Sequence, residues 1–133
     1  MATTAFAQNT DVIKQRKEAF KSLIPHVKAG TAMMKGQAAF DLAKAKEIFS
    51  SYATIAKPLP DLFPEDSRTG EETRALPVIW EKKDDFNQRL VKFVNDATEA
   101  SGSIDSEAAF KAAWPTVMGN CGACHKVYRA EKK

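Results

Sequence analysis

Two cysteines and one histidine close to the C-terminus carry the chemistry of this chain. They stand as Cys121-Gly122-Ala123-Cys124-His125, and the 133 residues contain no other cysteine. On an α-helix, positions i, i+3 and i+4 share a face, so both thiols and the imidazole would meet one flat object. Cys-x-x-Cys-His is the attachment pattern of a c-type haem: each sulfur adds to a vinyl group, and the imidazole binds iron from one side. This reading predicts one covalent haem c held through Cys121 and Cys124, with His125 as the metal ligand. A redox-active dithiol and a metal site remain as the competing readings. The first wants a strand nearby, and no strand pattern is visible there. A zinc site needs a fourth ligand, for which His26 or a carboxylate would have to serve. An iron–sulfur cluster would need about four cysteines.

Helices must position that motif, and the rest of the chain supplies them. Its apolar fraction of 44%, charged fraction of 28% and net charge of +3 suit one domain with a substantial core. Lysines alternate with acids along the chain, as on solvated helix faces, and give no nucleic-acid footprint. No apolar run is long enough to cross a bilayer, so no membrane insertion is expected. At the start, Ala5-Phe6-Ala7 before Gln8 has the form of a signal-peptidase site. Residues 1–9 are therefore read as the tail of a signal peptide, with a disordered terminus as the alternative, and residues 10–133 as the four-helix-bundle haem domain.

A first helix is expected from Thr10 or Asp11 to near Gly36, with Ile13, Phe20, Leu23 or Ile24, and Val27 on its apolar stripe. Pro25 should bend it, and Gly36 suits its C-cap. Asp41 caps a second helix that carries Leu42, Ala45, Ile48, Phe49, Tyr52 and Ile55 and stops at Pro58. Prolines 58, 60 and 64 exclude a regular helix through the next stretch, up to Leu76. A connection of that length is more often functional than idle, and Leu59, Leu62 and Phe63 should pack it back on the body, over a haem edge. The alternative is an extended linker. Pro77 opens a third helix with Ile79, Phe86, Leu90, Phe93, Val94 and Ala97 on one stripe, ending at Ser101-Gly102-Ser103. The fourth, from about Ile104, places Phe110, Ala113, Val117, Cys121, Cys124 and Tyr128 in steps of three and four, with a bend at Pro115. Four such helices with two short joints and one long one predict an all-α, antiparallel up-down-up-down four-helix bundle with the haem inside it.

Several stretches together resemble a known family. Arg16-Lys17-Glu18-Ala19-Phe20, Met34-Lys35-Gly36, Phe40-Asp41, Pro77-Val78-Ile79-Trp80 and Cys121-x-x-Cys124-His125-x-x-Tyr128-Arg129 look like cytochrome c′ and its low-spin bundle relatives, from about Val12 to Arg129. The resemblance implies a bacterial periplasmic homodimer packed through its first two helices. In high-spin members an apolar side chain of the first helix covers the open sixth position of iron. Low-spin relatives place methionine there, four residues after the arginine matched by Arg16. Here that position is Phe20, which has no atom to give to iron.

The expectation is therefore a five-coordinate, high-spin haem under a phenyl lid, admitting small neutral diatomics, NO and CO, at a steric cost. Arg16, one turn before Phe20, could reach a haem propionate or lie on the surface. Arg129 resembles the family's proximal-side arginine, and Trp80, Phe86 and Met34 are expected near the porphyrin. His26, after Pro25, reads as a surface residue and not as a ligand, and Met33, Met34 and Met118 match no ligand position of the family. Without an acid–base pair or an activated nucleophile the chain does not read as an enzyme, and as a peroxidase it would have only Arg16 as a remote distal group. The runner-up is a soluble electron carrier whose basic surface meets an acidic redox partner.

Overall fold

A computed structural model describes residues 10–68 and 75–129. The reading of residues 1–9 as a signal-peptide tail lies outside them. The elements in order are α1 (Thr10–Met34), α2 (Leu42–Ala56), two 3-10 turns (Leu59–Leu62 and Glu65–Ser67), a single-turn α3 (Val78–Glu81), α4 (Lys83–Ser103) and α5 (Glu107–Tyr128). The long helices form the expected four-helix bundle. No strand occurs among the described residues, only an isolated bridge between Ala75 and Arg129. No helix among them is long and apolar enough to cross a membrane.

Local chemistry sets the ends. After α1, Gly36 takes a φ of +73°, its N–H bonding Met33 O at 3.4 Å while Gln37 N bonds Ala32 O at 2.8 Å. That pair of bonds is a Schellman cap, which wants glycine at the left-handed position. Asp41 accepts from Lys44 N and starts α2. Ser106 accepts from Ala109 N and starts α5, two to three residues later than the sequence pattern placed it. Both Pro25 and Pro115 sit within unbroken helices, on exposed faces where water can serve the released carbonyls.

One element differs from expectation. The third helix is broken at Lys82, where φ is −122° and ψ is 47°. The break follows from Trp80: its buried indole N–H donates to Phe63 O at 2.9 Å and Pro64 O at 3.0 Å, which ties α3 to the long connection and not to the axis of α4. That connection folds back on the body, with Leu59 and Phe63 buried in the core.

Around the bundle, α1 packs on α2, α2 on α4 and α4 on α5. The fourth seam, between α1 and α5, closes at one end, where the Trp114 indole lies against Gly30. Beyond that contact, toward the start of α1 and the end of α5, it is open. An aromatic cluster of Phe49, Tyr52, Phe93, Phe110 and Trp114 fills the bundle behind the seam.

Candidate haem site

The open seam is a cavity of about 470 Å³ whose lining is overwhelmingly apolar. Its α5 wall carries Met118, Cys121, Cys124, His125 and Tyr128, a single helical stripe. The α1 wall carries Arg16, Phe20, Leu23 and Val27. Phe86, Leu90 and Phe93 of α4 form the floor, and Leu59 and Phe63 close one side from the long connection. A volume of this size suits a cofactor-sized ligand.

The thiols have the wrong character for redox exchange. Both cysteines are free. Burial raises the Cys121 thiol above its ordinary value and pushes Cys124 up to about 11, whereas a reactive dithiol needs a depressed value. Among the described residues no cluster of three or more His, Cys, Asp or Glu side chains is placed to hold a metal ion, and His26 packs edge-on against Tyr52, outside the cavity lining.

The surroundings fit a haem on two further counts. The lining includes Arg16, Lys17, Lys21, Arg89 and Arg129 and no Asp or Glu, a balance that suits a ligand bearing carboxylates. Finally, helix-bundle cofactor sites are built from side chains of facing helices, which is how α1 and α5 stand here.

Other sequence-selected residues fall into place differently. Phe86 lies on the cavity floor, 4.7 Å from the Phe63 ring centroid and 5.2 Å from Tyr128. Trp80 is not among the cavity-lining residues; it stands behind Phe63, at a centroid distance of 6.2 Å. Met34 is absent from the lining too, while Met118 belongs to it, on the same wall as His125. Arg129 is exposed, at the lip of the cavity. Arg16 is no surface residue: only 2% exposed, it donates to Leu62 O at 3.0 Å, Ser67 Oγ at 2.7 Å and Ser67 O at 2.8 Å. Its guanidinium stacks over Phe63 at 4.4 Å, and burial lowers its ionisation to about 10. Sequence patterning missed Asp85 and Arg89: Arg89 lines the cavity, and Asp85 accepts a bond from the Tyr128 hydroxyl.

Residues 11–129 match the Cytochrome C' family. The chain belongs to the cytochrome c′ family. It is 46% identical over 123 residues to cytochrome c′ of Rhodopseudomonas palustris, covering 92% of this chain and 84% of that protein. The solved structure of cytochrome c′ from Rhodopseudomonas palustris superposes with a TM-score of 0.90 at 45% identity, over 92% of this chain and 98% of that one. A cytochrome c-556 of Agrobacterium tumefaciens is 36% identical over 121 residues, 90% of this chain and 98% of the relative. The nitric oxide complex of a variant of cytochrome c prime from Alcaligenes xylosoxidans shares the fold at a TM-score of 0.81 and 28% identity, covering 95% and 99% of the two chains. Membership of a cytochrome c′ family implies haem c, and the two cysteines of this chain are consistent with covalent attachment.

Proposed function

We propose that this cytochrome c′ is a periplasmic binder of small neutral gases, NO and CO, at one haem c joined to Cys121 and Cys124 and ligated by His125. When bound, the haem supplies an iron centre able to take a diatomic at its open position and to cycle between two oxidation states. The observation that carries the reading is the pairing of walls: Phe20 of α1 lines the same cavity as His125, and the part of α1 that lines it contributes no His, Met or Cys.

Each residue then has a physical task. Cys121 and Cys124 fix the porphyrin to α5, so that its orientation does not depend on packing alone. Phe20 offers neither a donor to iron nor a hydrogen bond to a bound ligand, so it discriminates by size and against anions. Leu59 and Phe63 keep water from the cavity side, and the cations of the lining balance the carboxylates of the porphyrin. The relative captured with nitric oxide supports the choice of ligand. A second copy of the chain, packed through α1 and α2, is part of the same reading.

Electron carriage is the second reading, favoured by the cationic lip formed by Lys17, Lys21 and Arg129, which would attract an acidic redox partner. Absorption spectra of the ferric and ferrous protein separate the two. A high-spin spectrum that changes on adding NO or CO is expected. A low-spin spectrum with a methionine–iron charge-transfer band would overturn gas binding in favour of the carrier.

A further inference from the structure

His125 stands on the last turn of α5, the part of a helix most prone to fray. Two backbone ties reach that turn from outside: Leu76 N donates to Tyr128 O at 3.1 Å, and Ala75 pairs with Arg129. A further grip comes from the first turns of α4. Oδ2 of Asp85 accepts from the Tyr128 hydroxyl and, at 2.8 Å, from Arg89 Nε. Arg89 then donates through Nη1 to Ala123 O at 3.1 Å, and its guanidinium lies 5.6 Å from the Tyr128 ring centroid. The Phe86 and Tyr128 rings also meet at a steep angle, 5.2 Å between centroids. The network thus holds α5 at residue 123 and at residue 128, which bracket the histidine.

We infer that Asp85, Arg89 and Tyr128 form a proximal clamp that fixes the α5 turn bearing His125 and so sets how firmly the imidazole is held toward iron. The inference rests on the haem reading above. None of the three is proposed to touch iron; they are positioning residues acting through the backbone of α5. The donors of Tyr128 and Arg89 hold the Asp85 carboxyl below the usual carboxylate range, so the clamp is charged and closed at neutral pH. One carboxylate oxygen joins both donors, so removing either the acid or the phenol should undo much of the same linkage.

The test uses the haem-loaded full chain and resonance Raman spectroscopy of the ferrous protein. Asp85→Asn and Tyr128→Phe are each expected to shift the iron–histidine stretching band in the same direction. The double variant should shift it no further than the larger single change, as expected for one shared network. Amides of residues 123–128 should also exchange faster with solvent in both variants. Glu107→Gln, which removes only the exposed ion pair with Lys111 at the far end of α5, should leave band and exchange unchanged. An unshifted band in both variants overturns the clamp, as does an equal shift in Glu107→Gln or additive shifts in the double variant. Failure of the parent protein to attach haem or to show an iron–histidine band overturns the haem reading instead.

Discussion

The indole of Trp114 lies so close to Gly30 that a Cβ at that glycine would stand 2.2 Å from two ring carbons. This contact is where α1 and α5 meet, and the cavity begins beyond it. It therefore fixes how far the two walls stand apart.

Replacing Gly30 with alanine must move the ring or the helix. Alanine would gain about 1 kcal/mol in helix propensity, but forcing a methyl into a packed aromatic face costs about 1–3 kcal/mol, and the ring has Phe49 and Phe110 behind it. Net destabilisation is expected in denaturant unfolding, together with altered haem absorption as the seam widens. Gly119, on α5, has open space on its side-chain face, with nothing within 4 Å of where a Cβ would stand, so Gly119→Ala should stabilise the fold by roughly 0.5–1 kcal/mol.

Phe20 is the lid of the proposed gas site. Phe20→Ala should speed association of NO and CO with the ferrous protein, measured by flash photolysis or stopped flow, and should allow O₂ to enter. Association rates equal to those of the parent would show that the phenyl ring does not cover the iron. Because Phe20 is only half-buried, the variant should lose less than the roughly 3–5 kcal/mol of truncating a fully buried phenylalanine.

Arg16 joins α1 to the long connection through three bonds, to Leu62 and Ser67. Methionine at this position keeps the aliphatic stem but leaves the Leu62 and Ser67 carbonyls without that donor. A loss of about 2–4 kcal/mol is expected from the unsatisfied buried groups. Because Leu59 and Phe63 ride on the same segment, limited proteolysis of Arg16→Met should cut within residues 58–68 sooner than in the parent. Unchanged cleavage there would show that the bonds from Trp80 and Lys83 hold the connection without Arg16.

How much of this was legible in the sequence depends on how local each cause is. The repeats of three and four residues gave the four long helices, and the spacing of Cys121, Cys124 and His125 put them on one wall of the cavity, because helix geometry alone sets them on one face. Arg16 was beyond reach: its partners lie 46 and 51 residues away, and a lone arginine on a helix reads as solvent-facing. The break at Lys82 was hidden for the same reason, since it answers to the demand of the Trp80 N–H for carbonyls 16 and 17 residues earlier. Asp85 and Arg89 do form an i, i+4 pair visible in the sequence. Their link to Tyr128 and Ala123 comes only with the packing of α4 on α5.

Tyr128 predicts how the protein meets alkali. Burial, and then its bond to Asp85, push its phenol up to about 12, against an ordinary value of about 10 in an unfolded chain. A folded value above the unfolded one means that the neutral phenol contributes stability fully below about pH 10, and that this contribution is lost as pH rises through about 12. Denaturant unfolding followed from neutral pH into this range should therefore show stability falling across the window. In Tyr128→Phe the fall should be shallower, since phenylalanine has no proton to lose, while the starting stability at neutral pH should be lower because the Asp85 bond is gone. A tyrosinate absorbance titration gives the same answer directly: the parent should ionise late, and a step near the value of free tyrosine would mean that the Tyr128 hydroxyl faces water and not the Asp85 carboxylate.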